Sequence, residues 1–261
     1  MTSQQIGFDA PRGALTGRVA LVAGATGPVG RAIAFALAGA GASVAVHYRS
    51  SPDVAAALAA ELPTPSVAVG ADFTDSAQVD AAYAHIEAEL GPVDILVNSS
   101  HTAMPPTEFL DTSEAVLTSQ LDSVKGHAFL CQRALPRMRE GGWGRIVYVS
   151  GALMSRPHHG FSAYGAAKAA ATTLTKYVAL EEGRYGITAN IIAPGRVLDP
   201  ADTEPLEPEW QALADKLLEG MALGVFPDTN DVAAIVSLLV GPGSGHLTAQ
   251  TLYVTGGEPI A

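Results

Sequence analysis

A tyrosine and a lysine four positions apart, Tyr164 and Lys168, are the residues of this sequence best suited to proton transfer. In a helix, side chains at positions i and i+4 lie on the same face. Because a nearby ammonium group favours the phenolate, we expect Lys168 to lower the pKa of Tyr164 from its usual value of about 10. The pair indicates a general acid/base for a carbonyl–alcohol interconversion. An ordinary pair on a helix surface is the alternative interpretation.

A glycine-rich turn joins the first apolar run to an alanine-rich segment, with the sequence Ala23-Gly24-Ala25-Thr26-Gly27-Pro28-Val29-Gly30. Its three glycines suit a tight strand-to-helix turn, where positive φ and close backbone approach are needed. The helix start then presents unpaired N–H groups and the positive end of its dipole to a pyrophosphate. The fixed φ of Pro28 suits a first helical position. We therefore predict a nucleotide site here, with simple turn glycines as the alternative.

The residues after the second apolar run favour one form of nicotinamide cofactor. The run ends as Val46-His47-Tyr48-Arg49-Ser50. An acidic residue here would hydrogen-bond the ribose 2′-hydroxyl of NAD, whereas an arginine would meet the 2′-phosphate of NADP. The stretch has Arg49 and no acid, which favours NADP(H). A surface arginine without such a role is the alternative.

Two kinds of segment alternate along the chain and must position these residues. Short β-branched apolar runs are typical of strands that are buried on both faces. They are Val19–Ala23, Val44–Val46, Val67–Val69, Val93–Val97, Ile146–Val149, Ile187–Ile192 and Thr251–Val254. Between most of them lie alanine-rich stretches with helical spacing, namely Val29–Ala40, Val54–Leu62, Ala77–Leu90, Ser113–Arg139 and Ser162–Glu182. The alternation predicts a doubly wound α/β fold, and we expect a single domain over residues 1–261 with an N-terminal extension at 1–16.

Composition narrows the classes of function. Of the 261 residues 48% are hydrophobic, which is ample for a core. The 15 basic and 26 acidic residues give a net charge of −11, which disfavours binding to nucleic acid or an anionic membrane. The lone Cys131 fits a reducing compartment. The N-terminal stretch lacks the order of a signal peptide, and the longest apolar run, Ala32–Val46, is too short to span a bilayer. We expect a soluble, cytoplasmic protein.

Taken together, these motifs resemble the short-chain dehydrogenase/reductase family, from Gly17 to Gly257. The resemblance rests on the glycine-rich turn, on Tyr164 and Lys168, and on four further stretches of sequence. These are Ala71-Asp72, Leu96-Val97-Asn98, Ala193-Pro194-Gly195 and the closing Tyr253-Val254-Thr255-Gly256-Gly257.

The resemblance implies a seven-stranded parallel Rossmann-like sheet, NADP-dependent carbonyl/alcohol chemistry on a small molecule, and a homotetramer or homodimer. It also implies that Asp72 contacts the adenine, that Asn98 holds the loop around the cofactor, and that Pro194 and Gly195 lie beside the nicotinamide. The predicted cofactor-binding residues are Gly24, Thr26, Gly27, Val29, Gly30, Arg49, Asp72, Phe73, Asn98, Pro194, Gly195 and Val197.

The sequence departs from the family pattern where the chemistry is expected. The customary catalytic serine aligns with Gly151, and Ser150 stands beside it. The asparagine of the fourth long helix is absent. Other substitutions are Ala23 and Pro28 in the turn, Asn98-Ser99-Ser100-His101 for Asn-Asn-Ala-Gly, Gln120, Asp122 or Ser123 near the missing asparagine, and Asp199 for a threonine.

Three accounts of the chemistry remain open. In the preferred one, Ser150 (or Ser155) polarises the carbonyl while Tyr164 gives its proton. In the second, the site is redox-neutral and three histidines, His101, His158 and His159, line an acid/base or cyclising pocket. In the third, the protein is a nucleotide-binding subunit without catalysis. We expect no metal site, because no acid or cysteine stands at ligand spacing from these histidines.

Three segments are expected to form the substrate pocket: Ser150–Phe161, Pro194–Trp210 and His101–Phe109. The segment 194–222 follows a strand end and is predicted to be a lid, with a solvated surface loop as the alternative for its least regular part, Pro194–Pro208. Its acids around Asp199 would prefer a cation or face water. The apolar side chains Leu153, Met154, Phe161, Leu198, Leu206 and Trp210 indicate an apolar or aromatic substrate.

Overall fold

The computed structural model describes residues 13–103, 105–202 and 208–258, and a seven-stranded parallel sheet runs through its centre. The strand order is β3-β2-β1-β4-β5-β6-β7, which confirms the predicted Rossmann-like α/β fold. The strands are β1 (Val19–Ala23), β2 (Ser43–Tyr48), β3 (Ser66–Gly70), β4 (Ile95–Asn98), β5 (Gly144–Val149), β6 (Ile187–Pro194) and β7 (Thr251–Val254).

Seven α-helices in the described residues connect or follow these strands. They are α1 (Pro28–Gly39), α2 (Pro52–Glu61), α3 (Ser76–Glu89), α4 (Glu114–Gly141), α5 (Ser162–Glu182), α6 (Pro208–Gly220) and α7 (Thr229–Val240). The five expected helices are present within a residue or two. The sequence analysis did not identify α6 and α7. Helix α6 lies within the predicted lid segment 194–222, and residues 203–207 lie outside the described residues.

The unbroken apolar runs are explained by burial on both faces of the sheet. All five residues of β1 are buried. Ala20 and Val22 pack in the layer that contains α1, α2 and α7, whereas Val19 and Leu21 pack in the layer that contains α3, α4 and α5. Alternate residues of one strand thus serve two cores, so nearly every position must be apolar.

The topology creates a crevice at the carboxyl ends of the strands. Strand β1 pairs with β2 on one side and with β4 on the other, so the connections on its two sides run in opposite directions along the sheet. Ligands of open α/β sheets bind at such a point. None of the described helices is long and apolar enough to cross a membrane.

Candidate active site

A cavity of about 400 Å³ opens at this crevice and gathers most of the predicted site residues. All of them line it except Asn98, Gly195 and Val197. The glycine-rich turn and Arg49 lie along the same cavity as Tyr164, Lys168 and Ser150. One continuous space therefore joins the predicted nucleotide site to the predicted proton donor.

Two glycines of the turn are required by its backbone geometry. Gly24 has φ +76°, and an ideal Cβ there would lie 2.8 Å from the Cα of Ser100. A Cβ at Gly30 would overlap the carbonyl oxygen of Gly24. Gly27 does not meet our expectation, because its φ is −83° and the nearest atom to an added Cβ is 3.6 Å away. Helix α1 therefore packs closely on the turn through Gly24 and Gly30. Gly27 is the N-cap of the helix, and its backbone conformation does not require a glycine.

The start of helix α1 fits an anionic group. The helix begins at Pro28, as predicted. Within the described residues its first turn contains no acidic residue, and its N-cap, Gly27, has no side chain that could cap the first N–H groups. Its first N–H groups and the positive end of its dipole thus stay available to a phosphate.

Opposite charges stand at the same end of the cavity. Arg49 is exposed and Asp72 follows β3. Oδ1 of Asp72 accepts hydrogen bonds from the amide and the hydroxyl of Thr74, at 2.9 and 2.8 Å, and these bonds hold the pKa of Asp72 below its usual value. Arg49 lowers the same pKa further. Arg49 directly follows β2 and lines the cavity, and its contact with a 2′-phosphate stays a prediction.

Asn98 lies beneath the cavity and holds the loop that follows β4. Its Oδ1 accepts from the amide of Ser100 at 3.0 Å and from the hydroxyl of Ser100 at 2.6 Å. Its Nδ2 lies 3.2 Å from Nδ1 of His127, which is fully buried. These contacts agree with the loop-holding role that the family resemblance implies.

Tyr164 and Lys168 share the cavity, but the electrostatics differ from our expectation. The ammonium of Lys168 donates to the carbonyl of Val149 at 2.9 Å and lies 5.6 Å from the ring centre of Tyr164. Burial lowers the pKa of Lys168 to about 8, and burial raises the pKa of Tyr164 above 10. The expected lowering of the Tyr164 pKa is therefore wrong, because desolvation of the phenol outweighs the distant ammonium.

Ser150 and Gly151 point in different directions. The hydroxyl of Ser150 lies 2.9 Å from Oγ1 of Thr172 and 3.4 Å from the carbonyl oxygen of Lys168, both on α5. At Gly151, which has an extended backbone, an added Cβ would lie 3.0 Å from the hydroxyl of Tyr164. Successive residues of an extended chain face opposite sides. The position that faces Tyr164 is thus the glycine, and a carbonyl-polarising role for Ser150 stays a prediction.

Ser155, the other hydroxyl that we considered, is held by the last strand. Its Oγ lies 2.6 Å from the hydroxyl of Tyr253 on β7. The next residue, Arg156, forms an ion pair of 2.7 Å with the buried Glu258. These two contacts attach the segment after β5 to the C-terminal part of the sheet.

The three histidines of the alternative interpretation are in different surroundings. His101 lines the cavity, and burial, followed by Lys168 and Arg49, lowers its pKa. His158 and His159 are not among the cavity-lining residues, and His159 is an exposed side chain 3.8 Å from Glu108. In the part of the chain that the structure describes, no three His, Cys, Asp or Glu residues are grouped to hold a metal.

The three candidates near the position of the missing asparagine also differ in their surroundings. Asp122 and Ser123 line the cavity, whereas Gln120 is buried and donates to the carbonyl of Thr102 at 2.9 Å. Gln120 thus fixes the loop after β4, whereas Asp122 and Ser123 form part of the cavity wall.

Part of the predicted substrate pocket lies within the described residues. Phe161 lies edge-on to Tyr164, with 6.5 Å between ring centres. Gly195 donates its N–H to the carbonyl of Val254 at 3.0 Å, and Val197 packs against the core. Leu206 and the side chain of Trp210 lie outside the described residues.

His47 is one of the polar cavity-lining residues to which the sequence analysis gave no role. His47 is buried, lines the cavity and contacts the glycine-rich turn. The available signal was a lone imidazole inside the otherwise apolar run that forms β2.

Comparisons with known proteins agree with this geometry. Residues 24–258 match the family model described as enoyl-(acyl carrier protein) reductase. An NADPH-dependent aldehyde reductase-like protein of Arabidopsis thaliana is 34% identical, over 93% of this chain and 94% of that protein.

Two solved structures are also similar. A variant of a Serratia marcescens short-chain dehydrogenase/reductase has a TM-score of 0.85 and 30% identity, over 94% of this chain and 98% of that one. A metagenomic blue fluorescent protein in complex with NADPH has a TM-score of 0.85, 31% identity and the same coverage. These relatives support an NADP-dependent oxidoreductase with NADP(H) as its cofactor. The chain belongs to the short-chain dehydrogenase/reductase family.

Proposed function

We propose that this protein is an NADP(H)-dependent oxidoreductase that interconverts a ketone and an alcohol on a largely apolar small molecule. One observation carries the proposal: a single cavity connects the glycine-rich turn and Arg49 with Tyr164 and Lys168. When bound, NADPH supplies the hydride, and the protein must supply binding, orientation and a proton.

The protonation states of the two side chains suit reduction of a carbonyl. Because burial raises the pKa of Tyr164, its phenol keeps its proton at neutral pH. Lys168, with a pKa lowered to about 8, is largely charged at neutral pH and is fixed by the carbonyl of Val149. Tyr164 can therefore donate a proton to the developing alkoxide, and Lys168 stabilises the phenolate that remains.

Binding of the cofactor is tested by titrating the purified protein with NADPH and with NADH and following nicotinamide fluorescence. We expect tighter binding of NADPH. Arg49→Ala should weaken NADPH by roughly tenfold or more while it leaves NADH nearly unchanged, because only NADPH carries the 2′-phosphate. Equal losses for both cofactors would contradict the role of Arg49. Arg184→Ala is the matched control, because Arg184 is exposed and is not among the cavity-lining residues.

The role of Tyr164 is tested by Tyr164→Phe in a screen of aryl and alkyl ketones with NADPH. The aromatic ring is retained and only the hydroxyl group, which carries the proton, is lost. We expect kcat to fall by roughly 10²–10⁴-fold with NADPH affinity intact. A variant with wild-type turnover would exclude Tyr164 as the proton donor.

A redox-neutral reaction is the second candidate, and one observation favours it. Gly151 places no hydroxyl beside Tyr164, and the Ser150 hydroxyl is bound by Thr172. The reduced-nicotinamide signal discriminates the two functions. Substrate conversion that consumes NADPH in equal amount supports the oxidoreductase, whereas conversion at constant NADPH supports the redox-neutral enzyme. A non-catalytic subunit would bind NADPH and convert nothing.

We also propose that the protein is a homodimer or homotetramer located in the cytoplasm. Exposed apolar side chains on α4 and α5, among them Leu117, Tyr177 and Leu180, support association. The buried free thiol of Cys131 is compatible with a reducing compartment. Light scattering of the purified chain gives its mass in solution, and a monomer would exclude this assembly.

A further inference from the structure

His47 contacts the glycine-rich turn through both its side chain and its backbone. Nδ1 of His47 lies 3.0 Å from the amide nitrogen of Gly24, and the carbonyl oxygen of His47 accepts from the amide of Ala25 at 3.1 Å. Two successive N–H groups of the turn are thereby bound by a single residue at the end of β2. Gly24 follows β1 directly and has a left-handed backbone conformation, at which the chain changes direction. The two hydrogen bonds to His47 therefore hold the turn at this point.

The other side of the imidazole is fixed to the chain that follows β3. Nε2 of His47 lies 3.0 Å from the carbonyl oxygen of Ala71. The ring stacks on Phe73, with 3.8 Å between ring centres and an angle of 24° between planes. His47 therefore joins the carboxyl ends of three adjacent strands, β1, β2 and β3.

These partners determine the protonation of the ring. The amide of Gly24 can only donate, so Nδ1 accepts; the carbonyl of Ala71 can only accept, so Nε2 carries the hydrogen. Burial lowers the pKa of His47 to about 4, with Arg49 lowering it and Asp72 and the Ala71 carbonyl raising it. The neutral ring with hydrogen on Nε2 is the one form that satisfies both contacts.

We propose that His47 is a positioning residue for the cofactor: it holds the glycine-rich turn in the conformation that receives the pyrophosphate. The inference rests on the proposed function, because it assumes that NADPH binds in this cavity. His47 faces the cavity beside Gly24, Asp72 and Phe73, so a displaced ring moves the turn and the wall of the predicted adenosine end together. Arg49 lies two residues further along the chain, so a shift of the end of β2 would also move Arg49.

Two variants separate the hydrogen bond to the turn from the packing of the ring. His47→Asn places Oδ1 at the position of Nδ1 and can still accept from the amide of Gly24. His47→Phe keeps a ring on Phe73 and has no acceptor. His85→Phe, at an exposed position on α3, is the matched control.

The measurement is the dissociation constant for NADPH by nicotinamide fluorescence, with thermal unfolding of each variant as a check on folding. We expect His47→Phe to weaken NADPH by about tenfold to hundredfold, since a buried N–H loses its acceptor. His47→Asn should bind within about threefold of wild type, because the bond to Gly24 is retained. If His47→Phe does not fold, His47→Gln replaces it, because its longer side chain has no acceptor at the Nδ1 position.

The outcomes distinguish this inference from the proposed function. A wild-type protein that binds neither NADPH nor NADH overturns both. If wild type binds NADPH and His47→Phe binds it equally well, only the inference is overturned. It is also overturned if His47→Asn binds as weakly as His47→Phe, because the hydrogen bond to Gly24 would then contribute nothing to binding.

Discussion

Gly151 leaves space beside the hydroxyl of Tyr164. An added Cβ at this position would lie 3.0 Å from the phenol oxygen, which is closer than a methyl group normally approaches. The substrate carbonyl must approach the same hydroxyl to receive its proton. The absence of a side chain at Gly151 thus leaves room for a bulky group next to the proton donor.

Substituting Gly151 by valine should close this space. We expect Gly151→Val to lower kcat/KM for an active ketone by tenfold or more, on the order of 1.4 kcal/mol, while NADPH binds normally. The control is Gly141→Val on α4, where an added Cβ meets nothing within 4 Å. Unchanged turnover in Gly151→Val would show that the reacting group approaches Tyr164 from another side.

Residue types and spacing predicted which side chains meet in the cavity, but not their electrostatics. Tyr164 and Lys168 lie together as expected, yet the pKa of Tyr164 is raised, because its burial depends on segments far away in sequence. The alignment with the family pattern did identify Gly151 as the position that faces Tyr164, whereas the contact of the Ser150 hydroxyl with Thr172 depends on how α5 packs. His47 was missed because its partners come from β1 and from the chain after β3.

At the scale of elements, the contact between α1 and the turn tests the nucleotide site. Gly30→Ala should destabilise the protein by about 1–3 kcal/mol and abolish NADPH binding, because the new methyl overlaps backbone atoms of the turn. Gly39→Ala lies on the same helix, where an added Cβ meets nothing within 4 Å. This control should be neutral or stabilising by up to about 1 kcal/mol. Equal stability and NADPH affinity in the two variants would contradict the tight packing at Gly30.

Helix α7 is held by a capping box at its first turn. The side chain of Asp228 accepts from the amides of Asn230 and Asp231, and the side chain of Asp231 accepts from the amide of Asp228. We expect Asp228→Ala to lower the free energy of unfolding by about 0.5–2 kcal/mol, measured by urea denaturation. Asp228→Asn keeps an acceptor and should lose much less. Similar losses in the two variants would mean that the acceptor does not stabilise the helix.

This helix also shows where sequence patterns were insufficient. Its sequence is largely apolar because α7 packs both on α1 and on the sheet, and a short apolar run of this kind does not by itself distinguish a buried helix from a buried strand. The spacing of Asp228 and Asp231 was the available signal. The strands and α1–α5 were predictable because two-sided burial and alanine-rich periodicity are local properties of the sequence.

For the whole molecule, two buried histidines connect stability to pH. Burial lowers the pKa of His47 to about 4 and the pKa of His127 to about 3, from 6.5. His127 is enclosed by Asn98, Thr175 and Cys131, and the nearby Lys168 lowers its pKa further. Below pH 6.5 the unfolded chain binds protons that the native chain does not bind. The free energy of unfolding must therefore fall as the pH drops from 6.5 towards 4.

The expected slope is up to about 1.4 kcal/mol per pH unit for each histidine. Glu258 acts in the opposite direction, since burial raises its pKa, so the clearest window is the upper end of the range, just below pH 6.5. Urea denaturation across this window measures the slope. His101, whose pKa is also lowered, adds to the slope. His127→Gln should reduce the slope, because glutamine does not titrate, whereas the exposed His85→Gln should leave it unchanged. A stability that is flat across this window would mean that the native chain takes up protons at these sites as readily as the unfolded chain does.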